Sequence, residues 1–402
     1  MTEDATSRRR FLTAAGAAAL AATAAAACTS DTDEAAPSSA AKRYAYRGAH
    51  QSGITAPPAA AGLVAGLDVR ATSREELAVT LTQLGSTIEH LMEGREYEDR
   101  AGGFPPADTG IVGPGPAGSG LHVIVGYGES LFDERFGLAE QRPRELTRMP
   151  KFANDYLVRP ERSHGDLSVT VSADDADTVT HVFRQIMRET RGDLIPRWMR
   201  EGYNTLVPDW EPGIAPGRNL LGFKDGTANP DANDSDLMDD LVWVADGDDE
   251  PAWTVGGTYQ AIRVIRMMVE FWDRTRLNEQ EALIGRHRDS GAPIGFDNEA
   301  DTPVLADLES HIARANPRTP GRDDRIFRRG FNYVGGFDQN DQLDQGLIFL
   351  SFQRSLERGF IATQKRLDGE ALEEYVRPLS GGFFFVPAPP ADGEALGAAL
   401  LA

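Results

Sequence analysis

The stretch LSVTVSADDADTVTHVFRQIM, residues 167–187, predicts a strand that passes directly into a helix. Its first five residues alternate between apolar and polar side chains, which is the two-residue period of a half-buried strand. Apolar residues then recur at spacings of three and four, which is the period of a helix with one buried face. The apolar residues at this helical spacing are Val179, Val182, Phe183, Ile186 and Met187.

A similar pattern occurs upstream of this stretch. Residues 63–69 form a short apolar run that predicts a strand, and residues 122–125 predict another. Between them, SREE at residues 73–76 is a capping box, and leucine or isoleucine follows at helical spacing through residue 91. The order strand, helix, strand, strand, helix, strand is ferredoxin-like.

The pattern recurs downstream. Strands are predicted at residues 259–269, 325–334, 346–352 and 382–386, with a helix at residues 355–367. Between the two halves, residues 208–240 are rich in Pro, Gly, Asn and Asp and predict a segment that is irregular apart from the part around Asp225. We therefore expect an α+β protein with two domains, residues 47–213 and 214–402.

Composition excludes several classes of partner and site. The chain has 402 residues, with 62 acidic and 41 basic ones, for a formal charge of −21. Phosphate binding needs clustered Lys and Arg, so a nucleic-acid partner is not expected. Cys28 is the only cysteine. A single cysteine excludes an intramolecular disulfide, a zinc site made of cysteines, an iron–sulfur cluster and attachment of haem through two thioethers. Any haem must therefore be held non-covalently.

The N-terminus has the pattern of an export signal. Arg8-Arg9-Arg10-Phe11 precedes an alanine-rich stretch that ends at residue 27, which predicts a twin-arginine signal peptide over residues 1–27. Cys28 lies where a lipoprotein cysteine would, although Ala25 replaces the usual leucine, so a lipid anchor and free secretion both remain open. Residues 28–46 predict a flexible tether. We expect an extracytoplasmic protein, tethered to the membrane or secreted.

Two motifs carry the candidate chemistry. GFKDGT at residues 222–227 places a carboxylate, Asp225, on a glycine-flanked loop; taken alone, Asp-Gly is a common turn pair. SHIARANPR at residues 310–318 contains His311, and RRGF follows at residues 328–331. A carboxylate and an arginine that face a metal held by imidazole are what heterolytic cleavage of hydrogen peroxide on haem requires.

These motifs resemble the dye-decolorizing peroxidase family, whose signature is Gly-x-x-Asp-Gly. The resemblance extends over nearly everything after Tyr46, including GAHQSGI at residues 48–54, LIGR at 283–286 and GGFFF at 381–385. Together with the twin-arginine pattern, the sequence around His311 is most similar to that of the branch found in bacterial iron-uptake operons. The resemblance implies tandem ferredoxin-like domains with antiparallel sheets, and haem b held mainly by the second domain.

On the proximal side, the resemblance implies that His311 ligates the haem iron. A ligating histidine usually donates its other ring proton to a carboxylate or carbonyl. Asp324 is the expected partner, although a solvated turn at that position is an equal alternative.

On the distal side, the resemblance implies that Asp225 transfers the peroxide proton and that Arg329, eighteen residues past His311, supplies positive charge. Arg328 is expected to point the opposite way in a strand. Asn332 is expected to reach the distal pocket. Further haem-binding positions implied by the resemblance are Gly226, Thr227, Ala228, Asn316, Pro317 and Arg318, the last at a propionate.

The expected function is a haem peroxidase that reduces hydrogen peroxide through an oxyferryl intermediate and oxidises dyes, phenolics or other one-electron donors. A second hypothesis is release of iron from haem, or oxidation of ferrous iron, alongside iron-uptake proteins. A third is a haem-carrying lipoprotein without turnover. Protoporphyrin released intact would distinguish the second hypothesis, and haem without a peroxide response would distinguish the third.

Overall fold

The structure is a computed structural model that describes residues 42–99, 103–115, 117–207, 210–303, 309–316 and 324–402. The predicted signal peptide, Cys28 and most of the predicted tether lie outside these residues, as do Pro317 and Arg318. None of the helices in the described ranges is long and apolar enough to cross a membrane.

The described residues contain strands and helices of both halves of the chain. The strands are β1 (Ala61–Val69), β2 (His122–Gly128), β3 (Leu167–Ala173), β4 (Leu194–Tyr203), β5 (Gly217–Arg218), β6 (Lys224–Asp225), β7 (Thr258–Met267), β8 (Phe327–Arg328), β9 (Phe331–Phe337), β10 (Leu343–Gln353) and β11 (Val376–Val386). The α-helices are α1 (Arg74–Met92), α2 (Ala176–Glu189), α3 (Ser235–Leu241), α4 (Val269–Trp272), α5 (Leu277–Ile284), α6 (His311–Ala315), α7 (Ala362–Leu367) and α8 (Ala398–Leu401).

The first half has the predicted ferredoxin-like order. Its strands lie side by side as β4-β1-β3-β2, and every neighbouring pair is antiparallel. Helix α1 begins where the capping box predicts, because Ser73 Oγ accepts the Glu76 N–H at 3.2 Å. Asp175 caps α2 in the same way through the Thr178 N–H at 2.7 Å. Local capping and apolar periodicity therefore define this half.

The second half repeats the order as β9-β10-β7-β11, again antiparallel. The strand predicted at residues 325–334 is interrupted: β8 pairs with the end of β10, and β9 pairs with its beginning. The helix predicted at residues 355–367 begins with a π-helical turn, Glu357–Ile361, before α7. The fold is thus the predicted tandem of ferredoxin-like units.

Strand pairing within the described residues joins the two sheets into a ring of eight strands. Strand β7 pairs with both β10 and β11, β11 meets β2 at two residue pairs, and β4 meets β9 at the single pair Tyr203 and Asn332. Apolar side chains fill the ring, including Val64, Ile262 and Phe384. Helices α1 and α2 cover the outside of the first sheet, where α2 packs against β1 and β3.

The segment between the halves has regular structure around Asp225 and, beyond what the sequence predicts, in helix α3. Strands β5 and β6 pair as a small two-stranded sheet, with Gly217 opposite Asp225. The predicted domain boundary at residues 213/214 falls in the loop between β4 and β5.

Candidate active site

A cavity of about 370 Å³ is lined mainly by residues of the second half, and residues of the first half such as Ile124 and Asn204 also reach it. Side chains from β7 and β10 form one wall, and α6 and α7 form another, with Phe349, Ile312 and Thr363 among them. The loop around Asp225 and the strand β8 close a further side. The volume lies within the range of cofactor and ligand sites.

His311, the first residue of α6, lines this cavity with a side chain that is 34% exposed. Its Nδ1 lies 3.0 Å from each carboxylate oxygen of Glu370, which is itself buried in the loop after α7. This contact fixes the ring orientation and leaves Nε2 as the nitrogen for a ligand. The histidine therefore has the backing carboxylate expected of a metal-ligating imidazole, in Glu370 rather than Asp324.

Charge around His311 favours an electron-rich imidazole. Burial disfavours the protonated ring, but the charge and the hydrogen bond of Glu370 outweigh burial and raise the pKa of His311. Arg328 opposes this rise and Asp225 adds to it, each by a smaller amount. Both groups thus act electrostatically on the histidine across the cavity.

Asp225 lies on the short strand β6 and lines the same cavity. Its backbone is held by pairing with Gly217, and its carboxylate is about one-third exposed. Gly226 has φ +103°, and a Cβ there would lie 2.7 Å from Pro216 Cδ, so the turn after the carboxylate requires glycine. The signature motif therefore places a carboxylate, on a tightly turned backbone, at the cavity wall.

The arginine at this carboxylate is Arg328. Its Nη1 lies 3.5 Å from Asp225 Oδ1, and its Nη2 donates to the Thr227 carbonyl at 2.9 Å. Both charged side chains are about 30% exposed. They form a partly solvated pair at the mouth of the cavity.

Arg329, the arginine expected from the sequence, also lines the cavity, but its guanidinium makes its hydrogen bonds to groups other than Asp225. Its Nη2 donates to the carbonyls of Ala56 and Pro57, and its guanidinium lies 5.8 Å from the ring centroid of Phe327. Side chains alternate along a strand, so residues 327 and 329 share one face and Arg328 takes the other. Because Phe327 is buried inside the ring, Arg328 is the one that faces Asp225.

Asn229 links the two distal groups through the backbone of Arg328. Its Oδ1 accepts the Arg328 N–H at 2.8 Å, and its Nδ2 donates to the Arg328 carbonyl at 3.1 Å. Ala228, which directly precedes Asn229, has φ +58°, and this conformation is uncommon for a residue with a side chain. The loop and β8 are therefore joined by a two-point contact.

Other predicted positions have mixed outcomes. Asn332 lines the cavity and is 5% exposed; its Nδ2 donates to the Arg218 carbonyl at 2.8 Å, and its Oδ1 has no hydrogen-bond partner among the described residues. Thr227 and Asn316 also line the cavity. Asp324 lies 4.0 Å from Arg358 Nε, so the structure does not bring it to His311 as expected.

Sequence reasoning missed three residues that the structure assembles here. Glu370 lies 59 positions from His311, and no local pattern predicts their contact. Asn229 belongs to the loop motif but was not singled out. Arg328 was discoverable, because the apolar residue at 327 sets the register of the strand.

Haem fits this set of residues. Among the residues that the structure describes, no group of three or more His, Cys, Asp and Glu could hold a metal ion. One imidazole backed by a carboxylate, as in His311 and Glu370, suits a metal whose other ligands come from a macrocycle. The unpartnered Oδ1 of Asn332 and the pair of Asp225 and Arg328 supply polar groups on the remaining wall.

Comparison with known proteins agrees with this geometry. The family model "Dyp-type peroxidase, N-terminal" matches residues 51–204, and "Dyp-type peroxidase, C-terminal" matches residues 216–391. Proteins named deferrochelatase from Shigella sonnei (strain Ss046) and Escherichia coli (strain K12) are each 42% identical over 377 residues, which is 91% of this chain and 89% of theirs.

Solved structures give the same result. Ferric DtpA from Streptomyces lividans is 33% identical with a TM-score of 0.80, over 90% of this chain and 97% of its own. A DyP-type peroxidase from Streptomyces coelicolor is 34% identical with a TM-score of 0.79, over 90% of this chain and 98% of its own. The chain thus belongs to the Dyp-type peroxidase family and is a haem-dependent peroxidase.

Proposed function

We propose that this protein reduces hydrogen peroxide in the cavity between His311 and the pair formed by Asp225 and Arg328, and that it oxidises one-electron donors. The single observation that carries the proposal is this pair, held at 3.5 Å on the same cavity that the His311 imidazole lines. Each peroxide takes up two electrons from donors and two protons, and yields two molecules of water.

Asp225 acts as the proton carrier. Its carboxylate accepts the proton of the peroxide oxygen that is retained and returns it to the oxygen that leaves as water. Arg328 stays charged throughout and stabilises the negative charge that develops on the departing oxygen. Asn332, with a free amide oxygen, can accept a hydrogen bond from the bound peroxide.

His311 is the residue that would hold haem b, through Nε2, with Glu370 behind it. When bound, haem would supply a redox-active iron for cleavage of the O–O bond, and the donors would restore the electrons spent there. Glu370 keeps the imidazole oriented and electron-rich, which favours an oxidised metal. Thr227, Gly226 and Asn316 line the cavity and would contact the haem there.

The test compares two neighbouring arginines. Arg328→Leu should slow the reaction with peroxide by about 10²–10³-fold, the cost of losing one electrostatic contact to the transition state. Asp225→Asn should slow it by about 10²–10⁴-fold. Arg329→Leu is the matched control, since it removes an equal charge one residue away, and its rate should stay within about threefold.

Stopped-flow absorbance of the haem-loaded variants, mixed with excess peroxide, measures these rates. A slow Arg329→Leu variant together with a fast Arg328→Leu variant would restore the assignment made from the sequence. Wild-type rates in Asp225→Asn would remove the carboxylate from proton transfer.

A second candidate function is release of iron from haem, which the 42% identity to proteins named deferrochelatase favours. Oxidation of ferrous iron in company with iron-uptake proteins is its related form. Incubation of the haem-loaded protein without peroxide, followed by chromatography of the porphyrin, tests the release. Intact protoporphyrin supports it, and unchanged haem after many hours excludes it.

We also propose export by the twin-arginine route, from the pattern at residues 8–27, with Cys28 as the site of a lipid anchor. A protein exported in the folded state acquires its haem before it crosses the membrane. Cys28→Ser should move the mature protein from the membrane fraction to the soluble one. Identical fractionation of both forms would leave free secretion.

A further inference from the structure

Glu299 is a buried carboxylate beside the Asp225 loop, 7% exposed. Its Oε1 accepts the Thr227 hydroxyl at 2.6 Å and the Ala215 N–H at 2.7 Å. Its Oε2 accepts from the ammonium group of Lys224. Three donors from one loop therefore converge on a single carboxylate.

These contacts bracket Asp225 in the sequence. Lys224 precedes it, Thr227 follows it by two residues, and Ala215 belongs to the segment that enters β5, the partner strand of β6. The loop has little regular structure of its own to fix the carboxylate, since β6 is two residues long and Gly226 and Ala228 have positive φ. Glu299 thus lies outside the loop and binds the residues on both sides of Asp225.

The carboxylate is suited to stay charged in this place. Burial raises the pKa of Glu299, but hydrogen bonds from Lys224, Thr227 and the Ala215 N–H outweigh burial and lower it. A buried carboxylate that accepts from a cation, a hydroxyl and an amide has its lone pairs satisfied. Two of the three groups that donate to this carboxylate, Lys224 and Thr227, also line the cavity.

We propose that Glu299 is a positioning residue: it holds the loop so that the Asp225 carboxylate lies where it can carry the peroxide proton. The proposal rests on the role of Asp225 proposed above. Misplacing a reacting group by about 1 Å can cost on the order of 10²-fold in rate. Glu299 acts through Asp225 and does not touch the reacting atoms.

The test is Glu299→Gln, which keeps the size but places an amide NH₂ among three donors. The rate of reaction with peroxide should fall by about 10²-fold while haem content stays the same. Asp166→Asn is the matched control. Asp166 is 4% exposed and accepts from the same three kinds of donor, the Val69 N–H, the Ser130 hydroxyl and Arg135, but lies in the first half of the ring. Its rate should stay within about threefold of wild type.

The double variant Asp225→Asn/Glu299→Gln separates positioning from a general structural effect. If Glu299 works through Asp225, adding the second change to Asp225→Asn should slow the reaction by less than about threefold. A further loss of about 10²-fold in that background would overturn the proposal. If Asp225→Asn reacts with peroxide as fast as wild type, the proposed function fails and this inference fails with it. If Asp225→Asn reacts slowly but Glu299→Gln reacts as fast as wild type, only the inference is rejected.

A readout independent of activity is amide hydrogen exchange in the haem-loaded full chain. Residues 214–229 should exchange faster in Glu299→Gln than in wild type, and Asp166→Asn should leave that segment unchanged. Equal protection in Glu299→Gln would contradict a positioning role. Should Glu299→Gln fail to fold, Thr227→Val removes one donor only and should slow the peroxide reaction by about threefold to tenfold. An unchanged rate in Thr227→Val would then count against the proposal.

Discussion

The two halves of the ring share one strand order but differ in what lies between sheet and helices. In the first half, α1 and α2 are 19 and 14 residues long, and their apolar faces pack with side chains such as Leu77 and Leu84 fully buried. In the second half, α5, α6 and α7 have 8, 5 and 6 residues and border the cavity. Long helices close a core, whereas short ones leave room for a cofactor.

The same contrast appears in one histidine from each half. His122 on β2 is 2% exposed and has its Nδ1 3.2 Å from Ser52 Oγ, and burial, followed by the charges of Arg329 and Lys42, lowers its pKa to about 3. His311 meets Glu370, and its pKa is raised. A carboxylate partner thus separates an imidazole suited to a metal from one that is a neutral core residue.

The largest expected effect comes from replacing each of these two histidines by alanine in turn. His311→Ala should lose most bound haem, because the proposed ligand of the iron is removed, whereas His122→Ala should keep it. The ratio of haem to protein, from the Soret absorbance of purified samples, measures the difference. Full haem occupancy in His311→Ala would contradict the proposal that His311, and not His122, binds haem.

A smaller effect is expected from the carboxylate behind the ligand. Glu370→Gln keeps a hydrogen-bond acceptor for His311 Nδ1 but removes the charge, so haem affinity or peroxide activity should fall by about 10–100-fold. Asp324→Asn, at the position expected from the sequence, should change either by less than about twofold. Haem transfer to apomyoglobin measures the affinity, and the reverse ranking of the two variants would reinstate Asp324.

The smallest effect concerns His122 and pH. Because its folded pKa is about 3 and its unfolded pKa is about 6.5, the unfolded state binds a proton more readily below pH 6.5, and stability falls as pH is lowered from 6.5 toward 3. At pH 5 this amounts to about 2 kcal/mol. His122→Asn, which keeps a polar partner for Ser52, should therefore lose less stability between pH 7 and pH 5. Urea unfolding at both values tests this, and equal losses would contradict it.

Local patterns in the sequence predicted most of the fold. The capping box at Ser73 and the alternation at residues 167–171 determine elements whose stabilising contacts are close in sequence. Strand β8 was predicted only as part of a longer strand, because its separation from β9 depends on pairing with distant residues of β10. Periodicity alone cannot carry that information.

The candidate site was predictable where a motif holds the residue and not where tertiary contacts do. His311 and Asp225 stand in motifs that the structure brings to one cavity. The sequence predicts Arg329, eighteen residues past His311, as the distal arginine, whereas in the structure both arginines line the cavity and Arg328 is the one paired with Asp225. Glu370 contacts a residue 59 positions away in the sequence, and Glu299 contacts residues 72 to 84 positions away. Only the folded chain reveals contacts at such separations.

The position of β11 has a consequence for the order in which the molecule can be completed during synthesis. This strand lies between β7 and β2, and so joins the second sheet to the first, yet residues 376–386 are translated after every other strand described here. Until they leave the ribosome, β2 and β7 both present an unpaired edge, which chaperones or a second nascent chain can bind. Val376 of the same strand lines the cavity, so the cavity wall is complete only after this last strand has been translated.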